Sequence, residues 1–177
     1  MGYGVMPYRV KTAKIAALFG SEAKGVIEKL KNRIEQLDEH FDPAYGWPPM
    51  ETLLGQFLGG DNEFFGFGGN SAKHWYAIES LLREYGKMLS NGDWYPGGNI
   101  DPFYRAKTFK MYAIDKENKL DLAGPDDFPC LFTIHNEDLE EAAKVAEEIA
   151  DQDQRTQFLQ WIEEAKEHED DLMLFYY

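Results

Sequence analysis

The segment that most constrains the fold is residues 128–135, Phe-Pro-Cys-Leu-Phe-Thr-Ile-His, together with the residues that follow it. A short apolar run that opens at a proline and is rich in β-branched and aromatic residues is typical of a buried strand. Helical spacing begins directly afterwards, and Asn136 is the predicted N-cap. The predicted apolar stripe of this helix, residues 137–150, consists of Leu139, Ala142, Ala143, Ala146, Ile149 and Ala150. A strand that leads straight into such a helix predicts a helix packed on a sheet.

Other parts of the chain supply further strands and helices. Strand character also occurs in residues 3–10, 110–114 and 172–177, and Pro7 favours an edge position for the first of these. Helical patterns occur in residues 11–19, 21–37 with Ser21 as cap, 50–58, 71–89, 100–108 and 154–168. We therefore expect a single α+β domain over residues 1–177, with a small, mostly antiparallel sheet and helices that cover one face. The predicted core contains Leu131, Ile134, Leu139, Ala143, Ile149, Phe158, Ile162, Leu172 and Leu174.

Composition excludes several classes of protein. The chain has 177 residues, of which 44% are hydrophobic and 15% aromatic, so it is long and apolar enough to bury a core. Its apolar runs fall short of the roughly 18 residues that a membrane span needs, and no signal-peptide pattern opens it. A single cysteine, Cys130, cannot form an internal disulfide, and its strand position predicts a buried, inert thiol. We expect a cytoplasmic protein that does not bind a membrane.

The formal net charge of −14 is concentrated towards the C-terminal half. Residues 137–171 contain fourteen carboxylates and three basic side chains. Such a surface repels phosphate backbones, so we expect no nucleic-acid binding and regard a basic protein as the matching partner. The alternative interpretation is an acidic surface that serves only solubility, which is the commoner role of a charge run.

The most unusual loop is residues 59–71, which is dense in glycine and phenylalanine and leads into a predicted helix. A glycine-rich turn at a helix N-terminus can bind an anion, and Asn70, Ser71 and Lys73 are the polar residues that would contribute. The spacing matches neither the Walker pattern nor Gly-x-Gly-x-x-Gly after a strand. A loop anchored by its aromatic residues therefore remains the simpler interpretation.

No recognisable catalytic or metal-binding motif is present. The four histidines never occur at metal-ligand spacing, and the acidic stretch at residues 151–155 lacks the later glycine and glutamate of a calcium loop. We therefore predict no metal site and no cofactor. His135 is the best single catalytic candidate, because a strand end before a helix often faces a site. A structural histidine is the more common outcome, and the sequence favours a non-enzymatic protein without deciding the matter.

Three stretches carry a resemblance to a known family. The opening Met-Gly-Tyr-Gly-Val-Met, the Asp-Asp-Phe-Pro at residues 126–129 and the closing Asp-Leu-Met-Leu-Phe-Tyr-Tyr at residues 171–177 resemble an uncharacterised family of small bacterial proteins. That family is akin to the YfbM-like proteins of unknown function, some of which are thought to act as immunity proteins in toxin loci. The resemblance implies a protein that neutralises a toxin by binding it, and it supplies no catalytic residues.

Two functions of different classes follow. The first is an acidic binding protein of immunity type that engages a basic protein partner through Glu137, Glu141 and Glu148, predicted to lie on one exposed side of a helix. The second is a small-molecule-binding protein or enzyme with a site near loop 59–71. The predicted ligand-binding residues of that alternative are Asn70, Ser71, His74 and His135. The oligomeric state is not predicted by either.

Overall fold

The structure is a computed structural model that describes residues 4–61, 64, 72–114, 124 and 129–177, and for Lys24 the backbone alone. The helices of the described residues are α1 Thr12–Ala16, α2 Lys24–Asp38, α3 Met50–Gly59, α4 Ala72–Tyr85, α5 Asp101–Arg105, α6 Leu139–Ala142 and α7 Gln152–Glu167. The strands are β1 Val5–Val10, β2 Lys87–Met88, β3 Lys110–Met111, β4 Cys130–Ile134 and β5 Asp171–Tyr176. Short 3-10 helices occupy Pro43–Tyr45, Asn136–Asp138 and Ala143–Glu148.

The five strands form one sheet in the order β2-β1-β5-β4-β3. Every neighbouring pair is antiparallel, and in the long central pairs Tyr8 lies opposite Met173 while Phe132 lies opposite Leu174. This arrangement confirms the predicted α+β class and the antiparallel sheet. The single domain over residues 1–177 stays a prediction.

Helices cover both faces of the sheet, and the prediction that they cover one face is wrong. Along β5, Met173 and Phe175 face a core built with α1, α2, α3 and α4, whereas Leu172 and Leu174 face a second core built with α5, α6 and α7. The cause is visible in β5 itself, since all four of these consecutive residues are apolar and fully buried. A strand buried on both sides has a continuous apolar sequence rather than an alternating one.

The first strand lies inside the sheet, not at its edge as Pro7 suggested. The backbone N–H of Leu89 donates to the carbonyl of Pro7 at 2.9 Å, on the side of β1 that faces β2. Because the N–H and C=O of one residue in an antiparallel strand point to the same neighbour, the missing N–H of Pro7 also faces β2. The long pairing of β1 with β5 therefore loses no hydrogen bond to the proline.

Several helix boundaries differ from the predictions. Helix α4 ends at Tyr85 rather than continuing to Leu89. At Gly86 the chain approaches β1, and β2 begins at the next residue. A Cβ atom on Gly86 would lie 2.8 Å from the Arg9 carbonyl oxygen, so this close approach requires glycine. Ser21 does not cap α2, since its hydroxyl donates to the Leu18 carbonyl at 2.7 Å and the helix begins three residues later.

The predicted continuous helix over residues 137–150 is divided into α6 between two 3-10 helices. The residues of this segment that are buried are Leu139, Ala142, Val145, Ala146 and Ile149. The three-residue step from Leu139 to Ala142 to Val145 suits a 3-10 helix, in which side chains three apart lie above one another. Ala143 is consequently half-buried, and Ala150 of the predicted stripe is exposed. The other eight residues of the predicted core are buried.

No helix among the described residues is both long and apolar enough to cross a lipid bilayer.

Candidate functional site

The three glutamates predicted to bind a partner lie in three different short elements. Glu137 belongs to the 3-10 helix Asn136–Asp138, Glu141 to α6 and Glu148 to the end of the 3-10 helix Ala143–Glu148. All three side chains are exposed. The division of the helix removes the geometric argument that steps of four and seven align them on one side, so their joint role stays a prediction.

Two of these glutamates already have cationic neighbours. Glu141 forms an ion pair with Lys144, and the Glu148 carboxylate accepts a hydrogen bond from the Arg105 guanidinium at 2.9 Å. Exposed pairs of this kind contribute little to folding because water screens them, so they hold the side chains only weakly. A partner would have to compete with Lys144 and Arg105 for the two carboxylates.

A second set of glutamates joins α6 to α7. The Lys166 ammonium lies 3.6 Å from a Glu140 oxygen and 3.5 Å from a Glu163 oxygen, and the two glutamate side chains are 85% and 68% exposed. These glutamates come from different helices and share one lysine. We refer to the exposed Glu137, Glu140, Glu141, Glu148 and Glu163 together as the acidic surface.

Other carboxylates of residues 137–171 have structural roles. Asp151 caps α7, because one of its oxygens accepts the backbone N–H groups of Asp153 and Gln154 at 2.9 Å. The Asp170 carboxylate accepts a hydrogen bond from Arg9 at 2.7 Å, joining the turn before β5 to β1. The large negative charge of this stretch is therefore not all available to a partner.

His135 lies beside a half-buried carboxylate, that of Asp171, and its predicted role as a site residue stays a prediction. Its Nδ1 atom is 3.7 Å from Asp171, which also accepts the Thr12 hydroxyl at 2.6 Å and the Asn136 backbone N–H at 2.8 Å. Burial alone would raise the pKa of Asp171, but the contacts with His135, Thr12 and Asn136 outweigh it and lower that pKa to about 2. Asn136 is thus tied to the start of β5, because its backbone N–H donates to Asp171 and its side-chain amide donates to the Asp170 carbonyl at 3.0 Å. The prediction that Asn136 caps a helix is wrong.

The loop alternative falls mainly outside the described residues. Asn70 and Ser71 belong to the part of loop 59–71 that the structure does not describe. His74, in the first turn of α4, packs its ring against Phe64 with 5.0 Å between ring centroids. His135 instead lies beside Asp171. The shared ligand-binding role of the two histidines stays a prediction.

Cys130 is half-buried rather than buried, and the Tyr104 hydroxyl donates to its sulfur at 3.0 Å. Within the described residues, no three histidine, cysteine or acidic side chains are grouped so that they could hold a metal ion.

Sequence reasoning missed a cleft where α2 and α4 meet the sheet. It has a volume of about 410 Å³, and we call it the tyrosine cleft. Its lining residues are Met6, Arg33, Gln36, Leu37, His40, Tyr76, Glu79, Arg83, Tyr95 and Tyr177. The walls are mainly apolar and aromatic, with a few charged groups among them.

A buried carboxylate forms part of the wall of the tyrosine cleft. Glu79 is only 3% exposed, and it accepts hydrogen bonds from the Tyr8 hydroxyl and from both the Nη2 and Nε atoms of Arg83, at 2.9 and 3.2 Å. Burial, reinforced by the charge of Glu79, raises the pKa values of Tyr8 and Tyr177 well above their ordinary value, so both phenols stay protonated donors. The Tyr177 hydroxyl lies close enough to Glu79 for this carboxylate to raise its pKa, although it has no hydrogen bond of normal length to a described residue.

One signal in the sequence pointed towards this carboxylate. Trp75, Glu79 and Leu82 follow the steps of four and three that define one face of a helix, so Glu79 occupies an inward position of α4. An acidic residue on an inward face, with Arg83 four residues later, indicates a buried ion pair. The rest of the cleft comes from distant segments and has no local signal.

Comparison with known proteins identifies a family. No curated protein and no solved structure matches the chain. One family model matches, and the match extends over residues 1–177. The chain therefore belongs to the family described as Domain of unknown function (DUF7691).

Proposed function

We propose that this protein binds a small molecule in the tyrosine cleft. The observation that carries the proposal is the buried Glu79 carboxylate, held by Tyr8 and Arg83, in the wall of a cavity of about 410 Å³. Ligand sites in proteins are typically concave, about 300 to 1,000 Å³ in volume, and mostly apolar with a few placed polar groups. The tyrosine cleft matches this description in size and in chemistry.

A purely structural role explains only part of this arrangement. A buried carboxylate needs hydrogen-bond donors, and Tyr8 and Arg83 supply them. The Nη1 atom of Arg33 and the hydroxyl of Tyr177 are also buried, yet neither has a hydrogen-bond partner among the described residues. Leaving a buried polar group unpaired costs about 1 to 3 kcal/mol, and a ligand in the cleft would supply partners.

The experiment is a fragment screen monitored by NMR chemical-shift perturbation on the whole chain. We expect some fragments to perturb Tyr76, Tyr95 and Tyr177, and we expect Gln36→Trp, at the edge of the cleft, to abolish those perturbations. Gln160→Trp is the matched control, since Gln160 is also exposed but lies on α7, on the other side of the sheet. A screen with no hit in the cleft, or hits that survive Gln36→Trp, would contradict the proposal.

A second candidate is an acidic binding protein that engages a basic protein partner. The specific observation in its favour is that Glu140 and Glu163 share Lys166, so carboxylates from two helices belong to one acidic surface. Complementary charge speeds association more than it strengthens the final complex. The resemblance to immunity proteins makes a basic toxin the partner to test, and binding would involve Glu137, Glu141 and Glu148.

The test of the second candidate is a triple charge reversal. Any partner recovered from the source cells is measured against Glu137→Lys/Glu141→Lys/Glu148→Lys, which should slow association by one to a few orders of magnitude at low ionic strength. Added salt should reduce this difference, because charges are screened over about 10 Å at 0.1 M. The matched control reverses Glu28, Glu35 and Glu39, which are exposed on or just after α2. Equal effects of the two triple variants would show that only net charge matters.

The alternative site at loop 59–71 remains a proposal of lower rank. Two of its four residues, Asn70 and Ser71, lie outside the described residues, and His74 and His135 have the separate neighbours given above. Shift perturbations centred on His74 rather than on Tyr177 in the same screen would favour it over the tyrosine cleft.

A further inference from the structure

We infer that the ligand of the tyrosine cleft is a small planar anion, an aromatic ring that carries a carboxylate or a phosphate. The inference rests on the proposed function and adds the chemical class of the ligand. Three features of the cleft support it: its local charge, its unpaired donors and its aromatic walls.

The charge of the cleft is opposite in sign to that of the whole chain. Among the described lining residues, Arg33 and Arg83 are the arginines and Glu79 is the only acidic side chain. Glu79 is compensated by Arg83, so no other acidic side chain of the described lining balances the charge of Arg33. A positive site on a chain whose net charge is −14 attracts anions locally while the remaining surface repels them.

The donors of the cleft fit an anionic group. Arg33 has a buried Nη1 atom with no hydrogen-bond partner in the described part of the chain, and the same holds for the Tyr177 hydroxyl. A guanidinium presents its N–H groups in a planar fork that matches the two oxygens of a carboxylate or phosphate. A protonated phenol beside it can donate one further hydrogen bond. The guanidinium has no acceptor atom to offer to a cationic ligand.

The walls of the cleft fit a flat ring. The rings of Tyr76 and Tyr177 are stacked, with 5.4 Å between centroids and 18° between planes, and Tyr95 is 42% exposed. Tyr95 packs tightly on Gly4, where a Cβ atom would lie 2.3 Å from the tyrosine ring. A ligand ring would gain by offset stacking or edge contacts with an exposed tyrosine such as Tyr95. A volume of about 410 Å³ has room for one or two fused rings with an acidic group.

The test uses probes that share one ring and differ in charge. Naphthoate and naphthyl phosphate are anions, naphthylmethanol is neutral, naphthylmethylamine is a cation, and inorganic phosphate supplies the anion without the ring. Affinities for the whole chain are measured by NMR titration. We expect both aromatic anions to bind at least about tenfold more tightly than the alcohol, as one charge-assisted hydrogen bond implies, and phosphate alone to bind far more weakly. The stronger of the two aromatic anions identifies the acidic group.

Variants of Arg33 connect the affinity to this side chain. Arg33→Gln should weaken naphthoate binding roughly tenfold to a hundredfold and leave naphthylmethanol binding unchanged. Arg33→Lys keeps the charge without the fork and should have an intermediate effect. Arg105→Gln is the matched control, since Arg105 pairs with Glu148 outside the cleft and its loss should leave naphthoate binding unchanged. Circular dichroism verifies that each variant is folded. If Arg33→Gln does not fold, the comparison of the probes on the unaltered chain tests the inference by itself.

The outcomes separate the inference from the proposed function. Equal affinity for the alcohol and the anions in the cleft, or tighter binding of the amine, overturns the inference and leaves the proposal of a ligand-binding cleft standing. Binding of no probe and of no fragment overturns both. Anion binding that resists Arg33→Gln overturns the inference, because another group would then recognise the charge.

Discussion

The hydroxyl of Tyr8 in β1 donates a hydrogen bond to the Glu79 carboxylate in α4, and the two residues are 0% and 3% exposed. The contact joins the interior of the sheet to a helix that covers it, across 71 positions of the chain. Because a buried carboxylate is costly unless it is paired, this hydrogen bond contributes to the stability of the fold as well as to the wall of the tyrosine cleft.

Removing the Tyr8 hydroxyl should therefore destabilise the protein. We expect Tyr8→Phe to lower the free energy of unfolding by about 1 to 3 kcal/mol, the cost of leaving a buried polar partner with one donor fewer. Urea denaturation measures the change. Tyr45→Phe is the control, because Tyr45 is 66% exposed and its loss of a hydroxyl should change stability by less than about 0.5 kcal/mol. Equal stability of the two variants would show that Arg83 alone satisfies Glu79.

The core between the sheet and α7 should be sensitive to cavities. Ile134 and Ile162 are 0% and 1% exposed and belong to the same apolar cluster. Truncating either to alanine should cost about 2 to 5 kcal/mol, from lost burial and from the cavity that remains. Leu159→Ala, at a position that is 37% exposed on the same helix, should cost much less. A thermal melt that shifts equally for Leu159→Ala and Ile162→Ala would contradict the assigned face of α7.

Asp171 should make stability depend on pH in acid. Its pKa is lowered from 3.8 to about 2 in the folded protein, so its ionised form is favoured by folding. The contribution, about 2 kcal/mol, is present above the unfolded pKa and is lost as pH falls through about 4 towards 2. Urea midpoints measured between pH 6 and pH 2 should therefore fall less steeply for Asp171→Asn than for the unaltered protein.

Asp171→Asn also changes stability at neutral pH, so the slope and not the absolute value is the relevant quantity. Asp93→Asn is the control, since Asp93 is exposed in the loop after β2. Its acid slope should match that of the unaltered protein. An Asp171→Asn variant with the unaltered slope would show that other carboxylates account for acid sensitivity.

The N-cap of α7 should contribute measurably to the stability of the folded protein. Asp151 accepts the N–H groups of Asp153 and Gln154, and replacement of such a cap by alanine costs about 0.5 to 2 kcal/mol. Asp153→Ala, in the first turn of the same helix, removes the same charge without removing the cap. We expect Asp151→Ala to lower the denaturation midpoint more than Asp153→Ala does. If the two variants lower the midpoint equally, the contribution of Asp151 comes from its charge near the helix N-terminus and not from its capping hydrogen bonds.

The sequence allowed prediction of the elements whose signals are local. The strand β4, the helix α7 and the strand β5 were expected within a few residues of their observed bounds. Each has a short-range cause: an apolar β-rich run after a proline, an apolar stripe at helical spacing, and a closing apolar run. The antiparallel sheet followed from the same strands.

Predictions that depended on long-range packing were less successful. The run Leu172, Met173, Leu174 and Phe175 already indicates a strand buried on both faces, but the number of covering layers depends on where distant helices pack. The segment 137–150 shows the same limit, because packing selected a 3-10 geometry where local spacing suited an α-helix equally well. Asn136 resembled a cap in sequence, yet Asp170 and Asp171 engage its side chain and backbone instead.

The tyrosine cleft was beyond prediction for a related reason. Its walls combine β1, α2, α4, Tyr95 and Tyr177, which are separated in sequence and adjacent only after the sheet has formed. No periodicity or spacing connects Arg33 with Tyr177. The predicted glutamates, by contrast, were selected by local charge and by spacing along one helix, and the division of that helix removes the geometry on which the selection depended.

The central pairing of β1 with β5 has a consequence for how the chain folds. The two strands align over six pairs, from Val5 opposite Tyr176 to Val10 opposite Asp171, although about 160 residues separate them. Closing so long a loop is entropically costly, and folds dominated by such distant contacts form slowly. Because β5 contributes side chains to both apolar cores, neither core can reach its final packing on the ribosome before residues 171–176 have emerged. The nascent chain must therefore hold two incomplete apolar surfaces in solution, which makes chaperone binding before that point advantageous.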